Sequence, residues 1–180
     1  CPIGTYNKQT KQTESNDCVS CPAGKYGDQA KLVSVGQCTI CEEGHYCSGG
    51  AVKSPCEKGT FGDQTGQADL SACKGCPMGT YSSATGLTVE AQCNECPIGT
   101  FSNRTKQTAS EQCVACPSGR YGDEAKLVNA SLCTICELGH YCSGGAEKKA
   151  CEQGQYGDQT QRTALSDCKD CPTGTYSSAT

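Results

Sequence analysis

The cysteines constrain this chain more than any other feature, because they recur in a fixed grammar: Cys, sixteen residues, Cys, two residues, then the Cys that opens the next unit. Each opening cysteine also begins the stretch Cys-x-x-Gly-x-Tyr/Phe. That stretch occurs ten times and accounts for every aromatic ring: Tyr6, Tyr26, Tyr46, Phe61, Tyr81, Phe101, Tyr121, Tyr141, Tyr156 and Tyr176. A chain folded round one core scatters its rings. One ring at a fixed distance from a sulfur in every short unit is the mark of a tandem array.

The units run 1–20, 21–40, 41–55, 56–75 and 76–95. The third is shortened: Cys41 is followed closely by Cys47 in CEEGHYC, then by a Ser-Gly-Gly stretch. At Cys96 the series begins again, so 1–95 forms a first superrepeat and 96–180 a second, truncated in its fifth module. Residues 1–85 and 96–180 are identical at 56 of 85 positions, including the non-cysteine stretches AKLV, GHYCSGGA and YSSAT, which is more than keeping a fold requires. Such uniformity implies recent duplication, or selection for units that present nearly the same surface repeatedly. Cys1 already belongs to a module and Thr180 stops part-way through one, so the chain reads as an internal piece of a longer processed protein.

Composition says what must hold such units together. Leu, Ile, Val and Phe number only 20 of 180 residues, too few for a conventional core, whereas the 19 cysteines reach the density of a secreted disulfide scaffold. The net charge of −4 comes from 15 basic and 19 acidic residues mixed along the chain, which leaves no basic stripe to follow a phosphate backbone. Nucleic acid is therefore not an expected partner. No apolar run approaches the roughly 18 residues that would cross a bilayer, so no membrane span is expected in this segment.

Within a full module the residues favour a small hairpin. Pro2, Pro22, Pro77, Pro97, Pro117 and Pro172 fix φ directly after an opening cysteine, and the glycine two residues later permits a turn that other residues resist. The following ring can then lie against a disulfide. Gly27-Asp28, Gly62-Asp63, Gly122-Asp123 and Gly157-Asp158 read as further turns. No stretch holds a helical face, although QADLSAC and QTALSDC could each supply about one turn. The expected fold class is a small disulfide-rich, mostly irregular and β chain, with tandem hairpin modules stacked into an elongated rod or solenoid.

Two chemistries fit the cysteine spacing. Three quartets, Cys18/Cys21/Cys38/Cys41, Cys73/Cys76/Cys93/Cys96 and Cys113/Cys116/Cys133/Cys136, match a zinc ribbon. They leave Cys47, Cys56, Cys142 and Cys151 without the close partner that a thiolate site wants. Pairing each module's first cysteine with its own second leaves over only Cys171, whose mate would lie beyond Thr180. The expected bridges are Cys1 with Cys18, Cys21 with Cys38, Cys41 with Cys47, Cys56 with Cys73 and Cys76 with Cys93. The second unit repeats them as Cys96 with Cys113, Cys116 with Cys133, Cys136 with Cys142 and Cys151 with Cys168. Spacing does not prove this connectivity.

No constellation reads as catalytic, and no cofactor or metal is expected. The seven Cys-x-x-Cys pairs resemble redox motifs, but a redox enzyme sets one such pair at a helix start, and here they are junctions between modules. His45 and His140 occupy the same slot before Tyr-Cys, with no second histidine nearby, and read as surface or packing residues. Each Gly-Asp pair offers one carboxylate, far short of a calcium site. Asn103-Arg-Thr and Asn129-Ala-Ser are glycosylation sequons, with Lys8 and Ser34 at the matching places of the first superrepeat. The Ser/Thr-rich stretches YSSAT, TKQT and GDQT also leave room for O-linked sugar.

At CPIGTY, CPAGKY, CPMGTY and CPTGTY, each followed by a Cys-x-x-Cys junction, the chain resembles the ephrin-receptor-like cysteine-rich repeat, which is akin to the first half-module of tumour-necrosis-factor-receptor domains. CEEGHYCSGG is similar to the variant short module that interrupts such arrays. Two departures stand out: Glu42, Glu57, Glu137 and Glu152 replace the proline after cysteine, and the superrepeat is more uniform than in receptor ectodomains. The resemblance implies receptor stalks, adhesion proteins or protist surface proteins, including those of flagellar hairs. Together these readings lead to a non-enzymatic, glycosylated structural protein, extracellular or on the cell surface. It would form or decorate a filament or fibre with itself as partner. The alternative is a receptor or adhesin ectodomain, or a surface-coat antigen, that binds a protein ligand.

Overall fold

A computed structural model describes residues 1–9, 14 and 17–177. Each module begins with a tight turn: in the first, the Pro2 carbonyl accepts from the Thr5 amide at 3.2 Å and the Thr5 hydroxyl at 2.8 Å, with Gly4 at φ +86° between them. The turn delivers the ring into a two-residue strand, Thr5–Tyr6, that pairs antiparallel with Val19–Ser20, so that Tyr6 faces Val19. The same register sets Tyr26 opposite Thr39, Phe61 opposite Lys74, Phe101 opposite Val114 and Tyr156 opposite Lys169. Every sheet among the described residues is one such two-stranded hairpin. The chain is thus a tandem set of small, mostly irregular β modules.

Nine disulfides close them. Seven bridge residues 17 apart: Cys1–Cys18, Cys21–Cys38, Cys56–Cys73, Cys76–Cys93, Cys96–Cys113, Cys116–Cys133 and Cys151–Cys168. The short modules carry Cys41–Cys47 and Cys136–Cys142, 6 apart. The sulfurs of all three zinc-ribbon quartets are taken up by these bridges. In the short modules the cysteine moves inside a longer hairpin, His45–Gly49 against Val52–Pro55, and likewise His140–Gly144 against Glu147–Ala150.

Three of the rings pack forward. Tyr6 lies on the next module's Cys21–Cys38 bridge with Leu32, and Phe101 on Cys116–Cys133 with Leu127. Phe61 does the same with Cys76–Cys93 and Leu87. At these three junctions a module therefore shields its successor's sulfur, which is how a chain with so few aliphatic residues still buries Cys21, Cys76 and Cys116.

Backbone hydrogen bonds make the junctions, so they ask little of side-chain identity. Between modules one and two, Cys21 N–H donates to Gly4 O at 2.8 Å, Lys31 N–H to Cys1 O at 2.8 Å, and Asn7 N–H to Leu32 O at 3.0 Å. The same three bonds recur between modules six and seven, from Cys116 to Gly99 at 2.8 Å, Lys126 to Cys96 at 3.0 Å and Ser102 to Leu127 at 3.0 Å. The turn glycine also meets the module after next: a Cβ on Gly24 would lie 2.5 Å from Gly66 O, and one on Gly99 would lie 2.4 Å from Ala146 N. Stacking thus reaches two modules along the chain, further than the rings alone imply.

Two local readings change. Gly27, Gly62, Gly122 and Gly157 lack the positive φ of a glycine turn. Their role is clearance, since a Cβ on Gly122 would stand 2.7 Å from Gly99 Cα and 3.1 Å from the Cys116 sulfur. The helical turns are also more widespread than the two expected at QADLSAC and QTALSDC. A single 3-10 turn precedes six of the closing cysteines, at Val35–Gln37, Leu70–Ala72, Glu90–Gln92, Ser110–Gln112, Ala130–Leu132 and Leu165–Asp167.

The chain divides into two compact units. One comprises Cys1–Cys76 with Ser82–Cys93, the other Pro77–Tyr81 with Asn94–Thr180, so the fifth module contributes to both. Among the described residues no helix is long and apolar enough to cross a membrane.

Candidate functional site

The repeated short module joins an ion pair to the ring of the module before it. Replacing proline by Glu42 puts a carboxylate just ahead of the turn into the first strand, and Lys53 on the second strand, eleven residues on, reaches it at 2.6 Å. The same ammonium sits 5.4 Å from the centroid of the preceding module's Tyr26 ring, a cation–π distance. Glu137, Lys148 and Tyr121 repeat the arrangement, with Lys148 bonded to Glu137 and 5.4 Å from the Tyr121 centroid. The hydrogen bond from the lysine, and then its charge, hold both carboxyls below their ordinary range. The same bonds raise both ammonium groups. These exposed pairs contribute little net stability in high dielectric. They tie the segment ahead of each hairpin to its second strand, and so give a role to two of the four glutamates that replace proline.

His45 and His140 turn inward on their own loops, donating from Nδ1 to Glu43 O at 3.1 Å and to Leu138 O at 3.0 Å. Cys47 and Cys142 beside them are bridged and fully buried, so neither presents a thiol. Among the described residues Cys171 is the free cysteine, and no cluster of His, Cys, Asp or Glu is placed to hold a metal.

The two sequons occupy unlike places. Asn129 is half-buried and caps the turn Ala130–Leu132, its Oδ1 accepting from Ser131 N–H at 3.0 Å and from the Ser131 hydroxyl. Asn103 is exposed, on a loop pinned by Ser102, whose hydroxyl accepts from Arg104 N–H at 3.4 Å and donates to Arg104 O at 3.2 Å. It borders a cleft of about 340 Å³. Tyr6, Asn7, Lys8 and Val19 line a cleft of about 300 Å³ at the matching place in the first module. The O-glycan stretches Thr10 to Thr13 and Ser178 to Thr180 lie outside the described residues.

The surface itself repeats. Ile3 and Ile98 are both 56% exposed, Val19 and Val114 are 55% and 56%, and Ile40 and Ile135 are 55% and 43%. The caps and the lysine partners of Glu42 and Glu137 escaped the sequence reading, although the spacing of eleven residues from Glu to Lys in both superrepeats was there to find. Compared with models of protein families and with curated proteins, the chain matches none.

Proposed function

We propose that this chain is a segment of an extracellular or cell-surface structural protein: a disulfide-stapled, glycosylated array of ephrin-receptor-like repeats that forms or decorates a filament. The observation that carries this reading is the recurrence, 95 residues apart, of the same exposed apolar side chains and the same Glu–Lys–Tyr constellation. A receptor building one binding site gains by varying its modules. Regular assembly gains by keeping them alike, because one heterologous contact used repeatedly produces an open fibre. The nine disulfides fit an oxidising, extracellular setting. Electron microscopy of native, unreduced material tests the proposal. The expected result is fibres whose axial period is set by the 95-residue unit; isolated monomers would overturn it.

A further inference from the structure

The cleft beside Asn103 is not explained by stacking, disulfide shielding or the junction hydrogen bonds. Its walls combine hydrogen-bonding groups with an apolar floor: Arg104, Gln107, Glu111 and Gln112 line it together with Val114, which is 56% exposed. That is the surface a pyranose prefers, with donors and acceptors for its hydroxyls and an aliphatic patch for its C–H face. At about 340 Å³ the cleft is at the lower end of the range for small ligands, the scale of one or two sugar rings. The occupant is named by the cleft itself, because Asn103, the exposed sequon residue, is part of its lining.

We propose that the first sugars attached to Asn103 fold back into this cleft and seat on Val114, so that the glycan forms a wall of module six instead of projecting freely. This rests on the glycosylated reading above. In the attachment, Asn103 Nδ2 bonds to the anomeric carbon of a lipid-pyrophosphate-linked oligosaccharide. The anomeric C–O bond breaks, the lipid pyrophosphate leaves with the electron pair, and the amide gives up one proton. Asn129 differs, because its amide oxygen is already committed to the cap and no comparable cleft is lined by it among those described. In the first superrepeat Lys8 stands where Asn103 does, so the matching cleft there has no asparagine to carry an N-linked sugar.

The test uses the full chain secreted from a glycosylating eukaryotic host, alongside Asn103→Gln and Val114→Glu. Peptide mass spectrometry locates the glycan, and hydrogen exchange compares residues 104–114. The expected result is a glycan on Asn103 in wild type and in Val114→Glu. Cleft amides should exchange roughly fivefold more slowly in wild type than in Asn103→Gln, about the factor that one net hydrogen bond supplies. Val114→Glu should keep its glycan and lose that protection. A glycan on Asn103 with exchange equal to that of Asn103→Gln would overturn the seating alone. An unmodified Asn103 would overturn the glycosylated reading at this residue, and the seating with it.

Discussion

Gly24 shows how much one residue can be asked to do. It adopts φ +81°, and a Cβ would stand 2.5 Å from Gly66 O. Alanine there pays both for the left-handed backbone and for displacing a carbonyl of the module after next, roughly 2–4 kcal/mol together. Gly154 has nearly the same φ, +83°, with nothing among the described residues within 4 Å of the added Cβ, so Gly154→Ala should cost only about 1 kcal/mol. Urea melts with disulfides intact would separate the two; equal losses would mean that the backbone angle alone sets the requirement. The turn glycine was legible in the sequence because it recurs at one offset from cysteine. Its second duty was not, since the carbonyl it approaches is supplied by Gly66 in one place and by Gln161 opposite Gly119 in another. The left-handed site ten residues after an opening cysteine, where Gly66 and Gln161 stand, also accepts Lys31, Lys106 and Lys126, so no single residue type advertises it.

The 3-10 turns reveal an either-or rule at the scale of one element. Where the residue before the closing cysteine is Gln92, Gln112 or Asp167, its side chain reaches back to the amides that begin the turn, as Gln112 does to Thr108 at 2.6 Å and Ala109 at 3.2 Å. Where that residue is Ala72 or Leu132, the acceptor moves to the front, as Asp69 or Asn129. One acceptor per turn suffices. Gln112→Ala should therefore destabilise module six by about 1 kcal/mol, and adding Ala109→Asp should restore most of it; no recovery in thermal melts would refute the equivalence. Because either end can supply the acceptor, the sequence shows no fixed cap, and only QADLSAC and QTALSDC looked helical.

The short hairpin adds a pH response. The bond from Lys148, then its charge, depresses the folded Glu137 carboxyl below its ordinary 4.5. Its contribution is therefore complete above that value and is lost as pH falls through the lower, folded value. Hydrogen exchange in Glu147–Ala150 should accelerate over that acid window in the wild type. Lys148→Met should show a weaker acid dependence there, and an unchanged profile would show that the pair carries no linkage.

For a whole unit the decisive quantity is how far a local loss spreads. The module boundaries, the ring spacing and one bridge for each pair of cysteines could all be read from the chain, and they suggest nearest-neighbour stacking with each module resting on its own bridge and its neighbours' rings. The contacts that skip a module could not, since they are backbone approaches without a side-chain signature. Removing Cys116–Cys133 by paired alanines discriminates between the two ranges. The bridge closes a loop with sequence separation 17, so its loss should cost about 3 kcal/mol on the chain-entropy argument. It also uncovers Phe101 and Leu127, which pack on it. Module seven bonds to module six through Cys116 and Lys126 and to module eight through Gly119 and Gly122. Its Lys126 carbonyl abuts Gly79 of module five, while Gly119 abuts Gln161 of module nine. Hydrogen exchange in the double variant should accordingly rise two modules away on each side, at Thr80–Tyr81 and Gln155–Tyr156, as well as in the adjacent modules. Protection retained at those two hairpins while modules six and eight loosen would restrict the cooperative unit to neighbours. The turn glycines would then mark close fit without energetic coupling.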